Sequence, residues 1–268
     1  MSKNQSQDQS QDQSEAPMKN ARKVAIVTGG SRGIGRATAL LLAANGYDLC
    51  INYLSNRSAA ESVQSQVQAL GASCLLFQGD VSDEESVVAL FNSVDAKFSR
   101  LDALVNNAAL MLPQISIEQV TAQRLQKMFC TNISSYFLCA REAVLRMAFK
   151  HGGKGGAIVN VSSLAARTGS PHEYMDYAAS KGAIDTLTRG LAREMSREGV
   201  RVNGVRPGLI YTDMHADGGE PGRVDRVKDM LPLGRGGQPE EVAEAIYWLL
   251  SEKSSFTSGD RIDVAGGS

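Results

Sequence analysis

Cysteine is scarce in this sequence, and its pattern gives no sign of a metal or disulfide framework. The 268 residues include four cysteines, none of which forms a C-x-x-C pair. Three of them lie in apolar runs, which predicts reduced, partly buried thiols of a cytoplasmic protein. Histidines and acidic residues between positions 172 and 220 match no metal-ligand spacing, so no metal site is predicted.

The chain also lacks a long apolar run, a signal pattern and an excess of either charge. No run reaches the roughly 20 residues of a transmembrane helix, and no basic segment precedes an apolar one at the start. With 28 basic and 29 acidic residues the net charge is −1, which argues against an extended surface for nucleic acid. We therefore expect a cytoplasmic protein with neither a membrane nor a nucleic-acid partner.

Residues 1–20 differ in composition from the rest of the chain. They are mostly Gln, Ser and Asp with almost no apolar side chain, so burial cannot offset the entropy lost on ordering. A disordered tail is predicted there. Residues 21–268 contain no linker or internal repeat, and 43% hydrophobic residues can supply one core. A single domain is therefore predicted over residues 21–268.

Apolar runs alternate with helical stretches from residue 23 onward. The predicted strands are 24–27, 49–51, 73–78, 101–105, 157–161, 201–205 and 261–264. The predicted helices are 34–45, 58–70, 83–98 (capped by Ser82), 123–149, 177–198 and 239–250. Because the strands are apolar throughout, both of their faces are expected to be covered. This pattern predicts an α/β fold with a single Rossmann-type, doubly wound parallel sheet and helices on both faces.

A glycine-rich turn, TGGSRGIG at residues 28–35, separates the first predicted strand from the first helix. Glycine lets the backbone approach a pyrophosphate, and the helix N-terminus offers N–H donors and a positive end. The spacing of Gly29, Gly33 and Gly35 therefore favours a nucleotide site over an ordinary turn.

The second predicted strand ends in INYLSNR, residues 51–57, which contains no acidic residue. Sites that prefer NAD usually place an acid there to bind the ribose 2′-hydroxyl. Arg32 in the turn and Arg57 beyond the strand could instead bind a 2′-phosphate through bidentate donors. Two solvated surface arginines are the alternative, but the missing acid makes NADP the expected cofactor and NAD the less favoured one.

Tyr177 and Lys181 stand four residues apart in a predicted helix and therefore share a face. A phenol has an ordinary pKa of about 10, which is high for proton exchange at neutral pH. A nearby ammonium and an oxidised nicotinamide both lower it. Tyr177 could then protonate an alkoxide during hydride transfer, or deprotonate an alcohol in reverse.

Seven motifs in one order resemble those of the short-chain dehydrogenase/reductase family, in its compact one-domain branch. They are TGGSRGIG (28–35), DV (80–81), NNAA (106–109), Asn132, NVSS (160–163), YAASK (177–181) and RPG (206–208). The resemblance covers residues 23–268 and implies an NADP-dependent oxidoreductase acting on a small-molecule carbonyl or alcohol. Residues 169–177 and 210–229 also resemble a bacterial subgroup described as glucose/ribitol-dehydrogenase-like, a description that fixes no substrate.

The resemblance implies catalytic roles for four residues. Tyr177 is the expected acid/base, and Lys181 is expected to lower the tyrosine pKa and hold the nicotinamide ribose. Ser163 is expected to steady the substrate oxygen. Ser162 is a rival, because the stretch from Ser163 to Tyr177 looks one residue longer than in many relatives. Asn132 is expected to hold a water of the proton relay behind Lys181.

A larger set is predicted to bind the cofactor. By resemblance, Asp80 and Val81 clamp the adenine, Asn106 lies beside the adenosine ribose, and residues 207–212 hold the nicotinamide amide. The full predicted set is Gly29, Ser31, Arg32, Gly33, Ile34, Gly35, Asn52, Tyr53, Arg57, Asp80, Val81, Asn106, Ala108, Tyr177, Lys181, Pro207, Gly208, Ile210 and Thr212.

Two other functions remain open at this point. Tyr174 stands seven residues before Lys181, the tyrosine spacing of enoyl reductases, which reduce C=C bonds; a substrate-loop aromatic is the other interpretation. A non-catalytic NADP-binding protein on the same fold is the second alternative, because fold alone does not fix function. The presence of both Tyr177 and Asn132 favours carbonyl chemistry.

Two further expectations concern assembly and a loop. The helix predicted over 123–149 is apolar enough to need a partner, and in relatives the helices carrying Asn132 and Tyr177 pack across two-fold axes. A homotetramer of closed symmetry is therefore expected. Residues 211–230 are rich in Gly, Asp and Arg and longer than a simple connection, which predicts a substrate lid.

Overall fold

The computed structural model describes residues 22–268, so the tail predicted for residues 1–20 lies outside the described part of the chain. Seven strands form one sheet of parallel pairs in the order β3-β2-β1-β4-β5-β6-β7. They are Lys23–Val27 (β1), Tyr47–Tyr53 (β2), Cys74–Gln78 (β3), Ala103–Asn106 (β4), Gly156–Val161 (β5), Val200–Pro207 (β6) and Arg261–Val264 (β7). The predicted doubly wound parallel sheet is confirmed.

Helices cover both faces of this sheet. They are Gly33–Ala44 (α1), Arg57–Ala69 (α2), Glu84–Phe98 (α3), Ala122–Phe129 (α4), Ser135–Met147 (α5), Ala165–Thr168 (α6), Met175–Met195 (α7), Met214–Asp217 (α8), Arg223–Val227 (α9) and Pro239–Leu250 (α10). Buried residues of α1, α2 and α10 form one core cluster with the strands, and those of α3, α5 and α7 form a second. None of these helices, within residues 22–268, combines the length and apolar character needed to cross a membrane.

The apolar run of β1 shows why apolar and polar residues do not alternate along the strands. Ala25 and Val27 belong to the first core cluster, whereas Val24 and Ile26 belong to the second. All four are buried, since each face of the strand meets a helix layer.

The region predicted to be helical, 123–149, is helical from Ala122 to Met147, so its predicted end is wrong by two residues. α4 ends at Phe129, and Cys130–Ser134 forms a π-helical turn before α5 begins. Asn132 lies in this turn: its Oδ1 accepts from the Leu110 N–H at 2.7 Å, and its Nδ2 donates to the Leu110 carbonyl at 2.9 Å. A π-helical turn inside a helix is frequent at functional sites.

The predicted cap of α3 is also wrong by one residue. Asp83, not Ser82, is the N-cap, and its carboxylate accepts from the Ser86 N–H at 2.9 Å. The Ser82 N–H instead donates to Asp80 at 2.8 Å, which holds Ser82 in the preceding turn. Asp80 itself is exposed there.

The predicted lid, residues 211–230, folds into the short helices α8 and α9 and a final 3-10 turn. Glu220 between the two helices pairs with Arg223 and Arg226. The segment therefore has secondary structure and ion pairs of its own.

Candidate active site

A cavity of about 270 Å³ lies at the carboxyl ends of the central strands. Ile34 of α1, Asn107 after β4, Val161 at the end of β5 and Pro207 at the end of β6 contribute to its wall. In doubly wound sheets ligands bind at this edge, where the strand order reverses. Here the reversal falls between β1 and β4.

The turn after β1 is packed so closely that two of its glycines cannot carry a side chain. Gly29 has φ +62°, and a Cβ there would lie 3.0 Å from the Ala108 Cα. A Cβ on Gly35 would lie 2.4 Å from the Gly29 carbonyl oxygen. Glycine therefore lets strand, turn and helix approach one another as a phosphate cradle requires.

The N-terminus of α1 suits an anion. The helix begins at Gly33, its N-cap Arg32 provides no side-chain cap, and its first turn holds no acidic residue. The free N–H groups and the positive helix end therefore meet no competing carboxylate from this helix. Ser31 and Ile34 lie in the same half-buried turn, and Ile34 also lines the cavity. These residues fit the phosphates of a dinucleotide.

Two residues that the predicted set omits brace this turn. Asn107 Nδ2 donates to the carbonyls of Thr28 and Gly29 at 2.9 and 3.1 Å. The Thr28 hydroxyl accepts from the N–H groups of Asn107 and Ala108 at 2.9 and 3.0 Å. Both omitted residues stand inside the TGGSRGIG and NNAA motifs, so the signal was present in the sequence.

The ends of β2 and β3 form the side predicted for the adenosine. Asn52 is buried, its Nδ2 donates to the Gly79 carbonyl at 2.9 Å, and its Oδ1 accepts from the Gly29 N–H at 3.4 Å. Tyr53 and Val81 are also buried. The Asn52 amide is thus occupied in joining the glycine turn to the loop after β3.

The two arginines predicted for a 2′-phosphate both have carboxylate partners. Arg32 pairs with Asp217 of the lid segment. Arg57, at the start of α2, pairs with Glu61 at 2.7 Å. Both pairs are largely exposed to solvent, where such pairs contribute little to stability. Either guanidinium can therefore exchange its carboxylate for a phosphate at small cost.

Asn106 and the segment after β6 hold the middle of the site. Asn106 is buried, and its Nδ2 donates to Asn160 Oδ1 at 3.0 Å, linking β4 to β5. A Cβ on Gly208 would lie 2.8 Å from the Ala265 Cα, so the chain passes close to the C-terminal strand. All four residues predicted to hold the nicotinamide line the cavity, namely Pro207, Gly208, Ile210 and Thr212.

Tyr177 and Ser163 share the cavity wall. Burial raises the pKa of the Tyr177 phenol to about 12, and interaction with the Ser163 hydroxyl opposes that rise. Ser162 is buried, and its hydroxyl donates to the Lys181 carbonyl at 3.1 Å. This contact occupies Ser162 and supports Ser163 as the hydroxyl nearest the chemistry.

Lys181 is 1% exposed and well bonded. Its Nζ donates to the Val161 carbonyl at 2.8 Å and to the Tyr136 hydroxyl at 3.1 Å, and lies 5.6 Å from the Tyr177 ring centre. Burial lowers the pKa of Lys181 to about 7, partly opposed by Asp185. Tyr136 was not predicted, since no motif in the sequence joins α5 to this lysine.

Asn132 ties the two site-bearing helices together. Its Nδ2 donates to the Ser180 hydroxyl at 3.2 Å, one residue before Lys181. With its amide thus bonded to Leu110 and Ser180, Asn132 fixes the π-helical turn against α7.

Tyr174, the rival tyrosine, connects the loop before α7 to the predicted lid segment, residues 211–230. It is 2% exposed, and its hydroxyl donates to the Gly218 carbonyl at 3.1 Å. The Arg223 guanidinium stacks over its ring at 4.9 Å. The phenol lines the same cavity as Tyr177, but its proton is held by a backbone acceptor.

The buried lysine predicts a pH-dependent stability. The pKa of Lys181 falls from 10.5 to about 7 on folding, so between pH 7 and 9 the unfolded chain binds a proton that the folded protein lacks. Stability therefore rises with pH in this window. Relative to Lys181→Met, the unmutated protein should gain about 2 kcal/mol of unfolding free energy from pH 7 to 9. Urea titrations at several pH values measure this, and parallel pH profiles for the two proteins would contradict it.

The site belongs to a known class of protein. Residues 29–268 match the family model described as Enoyl-(Acyl carrier protein) reductase. Together with the relatives and solved structures it resembles, this match shows that the chain belongs to the short-chain dehydrogenase/reductase family. It is thus an oxidoreductase of a family that binds nicotinamide cofactors.

Particular relatives can also be named. The chain is 59% identical to the Uncharacterized oxidoreductase YgfF of Escherichia coli (strain K12), over 91% of this chain and 99% of that protein. It is 35% identical to 3-oxoacyl-(acyl-carrier-protein) reductase FabG of Staphylococcus aureus (strain N315), over 91% and 97%. A short chain dehydrogenase from Burkholderia cenocepacia J2315, in complex with NADP, superposes with a TM-score of 0.83 at 32% identity, over 91% and 97%.

Proposed function

We propose that the protein, as one catalytic domain, transfers a hydride between NADP(H) and a small carbonyl or alcohol substrate, with Tyr177 as acid/base. The observation that carries this proposal is the common cavity wall of Tyr177, Ser163 and Lys181. The phosphate-binding turn of α1 contributes Ile34 to the same wall, so cofactor and substrate would meet there.

The chemistry of the residues follows from their surroundings. When bound, the nicotinamide supplies or accepts the hydride. A buried phenol with a pKa of about 12 is protonated at neutral pH, so Tyr177 can donate a proton to the alkoxide oxygen during reduction. Ser163 hydrogen-bonds that oxygen, and its interaction with the phenol lowers the pKa of Tyr177, which favours donation of the proton. In the oxidative direction, Lys181 near the ring favours the phenolate where it is protonated, which is below its pKa of about 7.

Several observations support NADP as the cofactor. No acidic residue ends β2, and Arg32 and Arg57 are held only in exposed ion pairs that a phosphate can replace. The Burkholderia cenocepacia relative binds NADP. By resemblance, Asp80, Val81 and Asn106 would hold the adenosine, and Thr212 the nicotinamide amide.

A carbonyl screen tests the reaction class directly. NADPH oxidation is measured with a range of aldehydes and ketones. NADP⁺ reduction is measured with the matching alcohols and with polyols. Steady turnover with at least one carbonyl is expected. An intact protein that binds NADPH yet reduces no member of the panel would instead favour a non-catalytic cofactor-binding role.

Enoyl reduction is the second candidate. The description of the matching family model names an enoyl reductase, and Tyr174 at the enoyl-reductase spacing lines the cavity. Its hydroxyl is, however, donated to the Gly218 carbonyl, which leaves Tyr177 as the better proton donor. A crotonyl thioester with NADPH separates the two, since only the enoyl reaction consumes its C=C bond.

We further propose that the protein is a homotetramer. Large apolar side chains are exposed on and just after α5, namely Phe137 at 52%, Leu145 at 46% and Phe149 at 55%. Exposed apolar surface of this kind marks interfaces between subunits. Light scattering at micromolar concentration should give four times the chain mass of 28.6 kDa. A clean monomer mass would refute this assembly.

A further inference from the structure

The charged side chains around the cavity are few and all basic. Among the described residues that line it, Lys181, Arg223 and His215 can carry positive charge, and none is Asp or Glu. The partners of these three groups decide whether the cavity can hold an anionic substrate.

Arg223 is already neutralised by two carboxylates. One nitrogen donates to Glu220 at 3.0 Å, and the other donates to Glu173 from the loop before α7. The guanidinium also stacks on the Tyr174 ring at 4.9 Å, and its side chain is 14% exposed. Both ends of its planar fork are thus occupied by carboxylates.

Arg223 and its charged neighbours form a cluster with no net charge. Arg226 pairs with the same two carboxylates, with Glu220 and, at 3.7 Å, with Glu173. Two arginines and two glutamates therefore balance. Gln114, which is neutral, donates to Glu220 at 2.8 Å and adds no cation.

The other two basic groups have no carboxylate partner, but neither keeps a positive charge above pH 7. Burial lowers the pKa of Lys181 to about 7, and His215 Nδ1 is buried with no hydrogen-bond partner among the described residues. Lys181 Nζ donates to the Val161 carbonyl and the Tyr136 hydroxyl. His215 is 9% exposed, and its Nε2 lies 3.0 Å from the Ile210 carbonyl, which can only accept. Nε2 therefore carries the hydrogen, and burial lowers the pKa of His215 so that the ring is neutral at pH 7.

We propose that this site selects uncharged carbonyl substrates, and that Glu173 and Glu220 set that selection by keeping Arg223 from binding an anion. A carboxylate entering the cavity would lose its water without gaining a free cation, which is strongly unfavourable. An ester or alcohol of the same shape meets no such cost. This inference rests on the proposed carbonyl chemistry and names the substrate class for it.

A matched pair of ligands tests the inference. Methyl acetoacetate and acetoacetate present the same ketone, one uncharged and one anionic. Two quantities are measured for each at pH 8: kcat/KM with NADPH, and affinity for the protein without cofactor by calorimetry. The positive nicotinamide of NADP⁺ is left out because it would itself attract the anion. The unmutated protein should favour the ester by about 10-fold or more, as expected when one ligand leaves a charge unpaired.

Three variants distinguish an effect of the Arg223 charge on ligand preference from an effect of altered packing. Glu173→Gln should free part of Arg223 and narrow the ester preference several-fold, mainly by improving acetoacetate. Adding Arg223→Met to that variant should restore the preference, because the released cation is gone. Glu252→Gln is the control: it removes one carboxylate, whose partner Lys23 lies outside this cavity, and should leave the ratio unchanged.

Each outcome decides the matter. Equal or tighter binding of acetoacetate by the unmutated protein, or binding of neither ligand, overturns the inference. So does a Glu173→Gln variant that weakens both ligands alike, since that marks a purely structural role. If both ligands bind with the predicted preference but neither is reduced, the proposed reaction fails while the charge selection stands.

Discussion

Tyr177→Phe should abolish carbonyl reduction, with a loss of about 10²- to 10⁴-fold or more, the range of general acid–base catalysis. The ring still fills its buried position, and only the hydroxyl beside Ser163 is removed. NADPH affinity should therefore change little. Steady-state rates measure the first effect, and NADPH fluorescence titration measures the second.

Tyr174→Phe is the matched control. It removes the hydroxyl that donates to Gly218 of the lid, from a ring as buried as that of Tyr177. Substrate affinity or preference should change far more than the maximal rate. If Tyr174→Phe instead abolishes turnover and Tyr177→Phe does not, Tyr177 is not the acid/base and the enoyl-reductase interpretation takes its place.

The sheet was predictable because burial on both faces leaves a plain mark in the sequence. The strand predicted at 157–161 is found at Gly156–Val161, and that at 261–264 is found at Arg261–Val264. β2 runs two residues further at each end than the predicted 49–51. Its missed ends include Asp48 and Asn52, polar residues that an apolar pattern excludes but that tertiary hydrogen bonds accommodate.

The π-helical turn between α4 and α5 was less predictable, because its side-chain contacts reach residues distant in the sequence. Asn132 in this turn hydrogen-bonds to the backbone of Leu110, 22 residues earlier. Nothing in the pattern of residues 123–149 reveals that contact. Motif order did place Asn132 among the site residues, but it did not predict the contacts of its side chain.

The candidate site was likewise predictable in its residues but not in their contacts. The motifs singled out Tyr177, Ser163 and Lys181, and these three residues line one cavity. The spacing of Tyr177 and Lys181 on one helix face could not predict that Lys181 hydrogen-bonds to the Val161 carbonyl. Nor could it predict that burial raises the pKa of Tyr177. Arg223 was also missed as a cavity residue, since its place depends on how the lid folds.

The cofactor preference gives the second large effect. Replacing both Arg32 and Arg57 by Ala should weaken NADP binding about 10- to 100-fold, as expected for the loss of charge-assisted hydrogen bonds at an exposed site. NAD, which has no 2′-phosphate, should bind the variant nearly as well as the unmutated protein. Calorimetric titration with each cofactor measures both affinities.

The chain offers a control on the same helix as the phosphate turn. Arg36 of α1 donates to Gln66 at 2.8 Å and has no predicted cofactor role. Arg36→Ala removes one positive charge near the site, so it reports the general electrostatic effect, which salt screens. Asp217→Asn provides the opposite change, since it frees Arg32 from its carboxylate and should tighten NADP but not NAD. Equal affinity of the unmutated protein for NADP and NAD, or equal losses for both cofactors in the double arginine variant, would show that these arginines do not read the 2′-phosphate.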